Sequence, residues 1–143
     1  MPTIEKRVIK NVISLDEKTS CSDAAYLMEH RRIGAVGVTR GGALVGLVTD
    51  RDLVFNVLAR EKPGTITLAD VMRTDAPSVS PSATERDCAH IMQTHSARHL
   101  LVKEGDVAVG LITMLDVLSL MLEDNRWLIE QLNTYIKGGR GRV

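Results

Sequence analysis

The chain has 143 residues, 18 basic and 18 acidic side chains and no formal net charge, a length that suits one globular unit or two small halves sharing a core. Balanced charge gives no electrostatic reason to expect nucleic acid or an anionic membrane, and no run of 18 apolar residues suggests a membrane span. Aromatics make up only 3%, so aliphatic side chains and methionine must fill the interior.

Taken in chain order, the start Met1-Pro-Thr-Ile-Glu-Lys-Arg lacks the apolar stretch of a signal peptide, and a cytoplasmic location is expected. A short strand falls near 12–15, and a helix follows from about Asp23, where Ala24, Leu27 and Met28 make an i, i+3, i+4 stripe. Two strands then flank the turn Arg40-Gly-Gly42, at 35–39 and 43–48, as a hairpin. A second helix starts after Thr49, and Glu61-Lys-Pro-Gly64 reads as turn and linker. A short helix at 68–72 leads to a strand at 78–79, bracketed by Pro77 and Pro81. A helix from Thr84, strands at 99–103 and 107–112 around Glu104-Gly-Asp106, and a helix after Thr113 complete the pattern. Residues 124–136 form a further helix with Leu128, Leu132, Tyr135 and Ile136 on one face, stopped by Gly138-Gly139.

The second half repeats the first at an offset of 64 residues. Between Ser14 and Leu58, 12 of 45 pairs are identical with no gap, where ordinary composition would give about three. Gly46-Leu-Val-Thr49 falls on Gly110-Leu-Ile-Thr113, Asp52 on Asp116, and Asp23, Ala25 and Met28 on Asp87, Ala89 and Met92. The fold class expected is therefore α/β (α+β), two β-α-β-β-α repeats at 8–62 and 68–123, with a C-terminal helix and tail at 124–143. One repeat of 45 residues cannot bury the stripes of both its helices, so the two must pack together.

The motif Gly-hydrophobic-hydrophobic-Thr-x-x-Asp closing such a repeat, present twice, resembles a tandem pair of cystathionine-β-synthase-type (CBS) domains. Leu44-Val-Gly-Leu-Val-Thr-Asp-Arg-Asp-Leu53 and Asp70-Val-Met72 carry the resemblance most strongly. It implies two repeats about a pseudo-twofold axis and a regulatory module that binds AMP, ADP or ATP, with NAD or S-adenosylmethionine as the second choice. It also implies a homodimer and a regulated partner protein. Carried onto this chain, Thr49 and Asp52 hold a ribose in one cleft, and Thr113 and Asp116 in the other. Ser14 and Ser78 then lie near the adenine, while Arg98, His99 and Arg51 are placed for phosphate. One carboxylate can accept from both vicinal ribose hydroxyls, and phosphate favours fixed cations at a helix N-terminus. The repeats differ where Arg98-His99 replaces Gly34-Ala35 and Met114-Leu115 replaces Asp50-Arg51, so two unequal clefts are expected.

Each assignment has a plainer alternative. Thr-x-x-Asp also reads as a helix cap, although Asp is shorter than the usual Glu or Gln and should reach back poorly. Arg51 and His99 can be solvated or strand-edge residues. Cys88, His90, His95 and His99 hint at a metal site, but Cys88 belongs to an apolar stripe and the histidines fall on different elements, so none is expected. No nucleophile–base pair or phosphate-cradling glycine loop marks an enzyme. A ligand-free dimerisation scaffold is the alternative to the nucleotide sensor. The dimer is expected to use the closing helices, with Leu120 widening the second stripe and Trp127, Leu128, Leu132 and Tyr135 adding to it, unless the last helix folds back over its own repeats.

Overall fold

The computed structural model describes residues 3–139, and the side chains of 3–136. The first repeat comprises β1 (Ser14–Asp16), α1 (Cys21–Arg31), β2 (Ala35–Arg40), β3 (Ala43–Thr49) and α2 (Asp50–Leu53), which runs on as a wider π turn over Val54–Leu58. The second comprises β4 (Ser78–Val79), α3 (Glu85–His95), β5 (His99–Glu104), β6 (Val107–Thr113) and α4 (Met114–Gly139). Each repeat forms its own three-stranded sheet, β1-β2-β3 and β4-β5-β6, in which the first pair is parallel and the second a hairpin. The duplication extends to register. Val36 pairs Val48 where Leu100 pairs Ile112, and the bulge between Val38 and Thr39 recurs between Val102 and Lys103.

The helices begin where side chains can satisfy free backbone amides. Ser20 caps α1, and Thr84 caps α3 through a reciprocal pair of bonds with Asp87. Both end on a left-handed residue, Arg32 and Ser96, whose N–H reaches back to the last turn. The closing helices end differently. After the π turn, Lys62 N–H bonds to Val57 C=O and Pro63 follows, so the helix cannot continue. The corresponding stretch of the second repeat has neither Gly nor Pro before Gly138. Accordingly, the closing helix and the separate helix expected at 124–136 are one continuous 26-residue rod.

Each repeat has its own core, completed by a segment that precedes the other repeat. Leu68 and Val71, in the connector, join Ala24, Met28, Val36 and Val48 in the first core. Ile4, in a 3-10 turn at Ile4–Arg7, joins Cys88, Met92, Leu100 and Ile112 in the second. Ile4 and Leu68 are 64 residues apart, so the exchange is itself part of the repeat. A first domain beginning at residue 8 therefore omits a side chain that is wholly buried in the second. The exchanged strands dock as backbone bridges, Leu47 with Arg73 and Ile9 with Leu111. They explain the motif glycines. A Cβ on Gly110 would lie 2.5 Å from Val8 and 2.7 Å from the Ile9 carbonyl, and one on Gly46 would lie 3.0 Å from the Arg73 carbonyl. A third apolar cluster, including Ala35, Leu47, Ala76, Leu101 and Leu111, draws on both repeats.

Candidate functional site: two unequal clefts

Two related clefts flank the junction of the repeats. Each combines the Thr-x-x-Asp end of one repeat with the helix-to-strand corner of the other. In the first, Thr49 and Arg51 face Ser96, Ala97, Arg98 and His99. In the second, Thr113 and Leu115 face Arg32, Ile33, Gly34 and Ala35, with Arg98 and His99 also on the wall. Arg98 and His99 thus line both.

Both motifs form complete capping boxes. Asp52 Oδ2 accepts from Thr49 N–H at 2.9 Å and Asp116 Oδ2 from Thr113 N–H at 3.0 Å, while each Thr Oγ1 accepts from the Asp N–H at 3.2 Å. The expectation that Asp reaches back poorly is overturned. An extended N-cap folds its own N–H over the first turn, so a short carboxylate spans the gap. Thr84 and Asp87 make the same two bonds on α3, away from either cleft. Capping alone thus accounts for the spacing, and the surroundings must decide any further role.

Those surroundings differ sharply. Arg73 Nε donates to Asp52 Oδ1 at 2.8 Å, so both oxygens of Asp52 are engaged and the residue is 1% exposed. Arg51 donates to the Ser96 carbonyl at 3.2 Å. The first cleft retains only about 30 Å³, about one water's share of the liquid. Asp52, expected to hold a ribose, is here bonded to Arg73 and Thr49 and almost wholly covered, which leaves Asp116 the better placed of the two for that role. In the second cleft Ile9 stands 64 residues before Arg73 and at the matching bridge, and it brings no charge. Asp116 Oδ2 also accepts from Thr113 Oγ1 at 2.8 Å, while Oδ1 has no hydrogen-bond partner among the described residues. About 720 Å³ is open here, with Ile9, Val12, Ile13, Ile33, Ala35 and Leu111 as aliphatic wall and Asn11, Arg32, Asp50, Arg98, His99 and Thr113 as polar groups. Ligand sites are commonly of this size and mixture.

Arg98 Nη2 donates to Asp50 Oδ1 at 2.9 Å, an exposed ion pair linking the two repeats. Burial pushes the His99 imidazole below its ordinary value, and the neighbouring Arg98 charge acts the same way against the opposing pull of Asp50 and Asp116. Both effects favour the neutral ring, which can still hydrogen-bond a ligand in either cleft.

Ser14 and Ser78 require correction. Neither lines either cleft; Ser14 borders a groove beside the two hairpin turns. In the parallel β1–β2 pair Ser14 lies opposite Gly37, so the level of Ala35, where the cleft opens, is reached two residues earlier at Val12. Val12 and Ile13 line the second cleft, and Ala76 and Pro77 the first. The sequence reading also missed Arg73, Arg32 and Asp50. Arg73 and its counterpart Ile9 sit outside the span used to detect the repeat, and extending the 64-residue offset backwards would have set them side by side. Among the described residues, no three His, Cys, Asp or Glu side chains converge as a metal-ligand set, and no helix is long and apolar enough to cross a membrane.

Comparison with known proteins agrees with this architecture. The family model for the CBS domain matches twice, over residues 5–59 and 68–123. The CBS domain-containing protein YhcV of Bacillus subtilis is 26% identical over 117 residues, covering 82% of this chain and 84% of its own. Inosine-5'-monophosphate dehydrogenase of Korarchaeum cryptofilum is 32% identical over 79% of this chain, which spans only 23% of that enzyme. Among solved structures, a protein with CBS domains from Burkholderia ambifaria superposes with a TM-score of 0.76 at 28% identity, covering 85% of this chain and 92% of that one. CBSX2, solved in complex with AMP, superposes with a TM-score of 0.74 at 22% identity, covering 87% of this chain and 99% of that one.

Proposed function

The chain belongs to the CBS-domain family, and we propose that it is a regulatory module that binds one adenosine nucleotide in its second cleft and signals occupancy to a partner protein. The observation that carries this reading is the contrast between two motif carboxylates: Asp52 is bonded to Arg73 and buried, while Asp116, bonded to Thr113 on the wall of the open cavity, keeps Oδ1 without a hydrogen-bond partner among the described residues. A purine ring suits the aliphatic wall of Ile9, Val12, Ile33 and Leu111. The vicinal ribose hydroxyls suit Asp116 Oδ1, with Thr113 holding the carboxylate in place. Phosphate suits Arg98, which exchanges the carboxylate of Asp50 for the phosphate of the ligand, with Arg32 on the same rim. AMP, ADP and ATP share these features and are preferred to NAD or S-adenosylmethionine.

Calorimetry on the whole chain with AMP, ADP, ATP, NAD, S-adenosylmethionine and adenosine tests the reading. One site per chain is expected, with the charged nucleotide preferred to adenosine. Asp116→Ala should weaken it about tenfold to a hundredfold, as for loss of a hydrogen bond to a charged group. No heat with any of these compounds would leave the ligand-free scaffold as the better account, and full affinity in Asp116→Ala would remove the ribose assignment.

A further inference from the structure

The first turn of α3 lies beside the middle of α4, and a hollow of about 740 Å³ opens between them. Glu85 and Asp124 line it from the two helices, with Met121, Leu128 and Trp127 as apolar wall. None of these residues lines either cleft, and Asp124 stands ten residues, about 15 Å of helix, beyond the start of α4. Glu85 is 4% exposed, its Oε2 has no hydrogen-bond partner among the described residues, and the group facing it is a second carboxyl. Arg86, also on the wall, is exposed and pairs with neither carboxyl in the structure. The fold does not ask for this carboxyl. At an offset of 64 residues the first repeat has Cys21 where Glu85 stands, buried alike, and Arg60 and Pro63 where Asp124 and Trp127 stand. The cap of α3 is made by Thr84 and Asp87, so Glu85 adds no bond to it. A carboxyl that is costly to bury, and that its own duplicate dispenses with, marks a place where something binds.

We propose that this hollow binds a guanidinium group on an alkyl stem, with Glu85 and Asp124 as its carboxylates and Trp127 as its aromatic partner. The chemistry of the wall selects that class. A guanidinium presents its N–H donors in a planar fork and meets carboxylates through paired bonds. It also stacks on aromatic faces, of which the indole is the best. Met121 and Leu128 suit the methylenes of the stem. A calcium ion asks for six to eight oxygens, and no three His, Cys, Asp or Glu side chains converge among the described residues. A hydrated magnesium ion would make no use of the apolar wall. Burial first, and then Asp124, raises the Glu85 carboxyl to about 7 while Arg86 opposes them, so near neutral pH a proton and a guanidinium compete for one group.

Trp127 is the chain's only tryptophan, so its fluorescence reports on this hollow directly. Titrating the whole chain with butylguanidinium should give a saturable change in that signal below about 10 mM, the range expected of one ion pair with a few apolar contacts. Glu85→Gln keeps the shape and should weaken binding about tenfold or more, as should Asp124→Asn. Glu130→Gln removes an exposed carboxylate of α4 outside the hollow and should leave the affinity unchanged, while circular dichroism confirms that each variant is folded. Between pH 6 and pH 8 the affinity should rise as Glu85 loses its proton. N-acetylarginine amide separates the sources of the group: tighter binding than butylguanidinium assigns it to the arginine of a protein, and weaker binding to a free guanidine. No saturable change, an equal response in Glu85→Gln, equal affinity for butylammonium, or a response to magnesium or calcium alone overturns the proposal.

Discussion

One side chain sets the two motif carboxylates apart. Arg73 and Ile9 occupy matching places in the exchanged segments, each bridged through its backbone to a leucine of the opposing strand, and only Arg73 carries a group that can reach the motif carboxylate. A buried carboxylate needs a compensating charge, so Arg73 both satisfies Asp52 and occupies the space a ligand would take. Replacing it with the residue of the other cleft is therefore informative. Arg73→Ile should free Asp52 Oδ1 and raise the nucleotide stoichiometry from one to two per chain in calorimetry. It should also cost about 1–3 kcal/mol in urea unfolding, because Asp52 loses its ionic partner. Unchanged stoichiometry would mean that closure of the first cleft has another cause. The Thr-x-x-Asp spacing itself was legible beforehand, but its meaning was not. Thr84 and Asp87 make the same box without a cleft, so the spacing reports a helix start, and burial and partners decide the rest.

Helix α4 meets α3 at a pair of carboxyl groups, Asp124 and Glu85. Glu85, in the first turn of α3, is 4% exposed, and its Oε2 has no hydrogen-bond partner in the structure. Burial raises its pKa first, and the facing Asp124 of α4 adds to this, so that it stands at about 7 against an ordinary 4.5. The native chain thus holds this proton up to about pH 7, while the unfolded chain releases it near 4.5. Between those values the native state binds more protons, and stability falls as pH rises. Glu85→Gln keeps the shape and removes the ionisation. It should flatten that decline in chemical unfolding measured across the window, and an unaltered slope would assign it to other groups. Periodicity alone identified the apolar residues of α4 but divided the helix in two at 123/124. The helix-forming sequence through Glu123, Asp124, Asn125 and Arg126 offers no break, and the rod neither stops there nor folds back.

At the scale of the molecule the two repeats are not independent halves. Ile4 is wholly buried among Val79, Cys88, Leu100 and Ile112, far along the chain from it, and its amide bonds to the Ala83 carbonyl at 2.9 Å. Ile4→Ala should lower stability by about 2–4 kcal/mol, the cost of a core cavity, although it lies outside either sheet. A loss below about 0.5 kcal/mol in denaturant unfolding, the range of an ordinary surface change, would contradict the exchange. Leu120 belongs to this same core rather than to an exposed stripe. A charge there would damage the second repeat before it reported on any interface, and the exposed face lies instead along Leu115, Leu118 and Leu122. Of the residues expected at a dimer contact, Leu120 is therefore a core residue, while Trp127, Leu128, Leu132 and Tyr135 are exposed. A helix presents every residue type on all sides until its neighbour is known.

What the amino-acid sequence determined by itself is what local chemistry can dictate twice: the 64-residue repeat, the hairpins at Gly41 and Gly105, the Thr-x-x-Asp caps, and the apolar periods that define two β-α-β-β-α units. These depend on contacts within a few residues, and the duplication made each one visible against its copy. What only the tertiary structure decided is how the copies differ in use. Ile4 and Leu68 cross to opposite repeats, Ser14 sits two residues past the cleft, and Arg73 rather than Ile9 meets a motif carboxylate. Each of these outcomes is set by a neighbour distant in the chain, and a carboxylate is a binding group or a structural one according to which neighbour arrives.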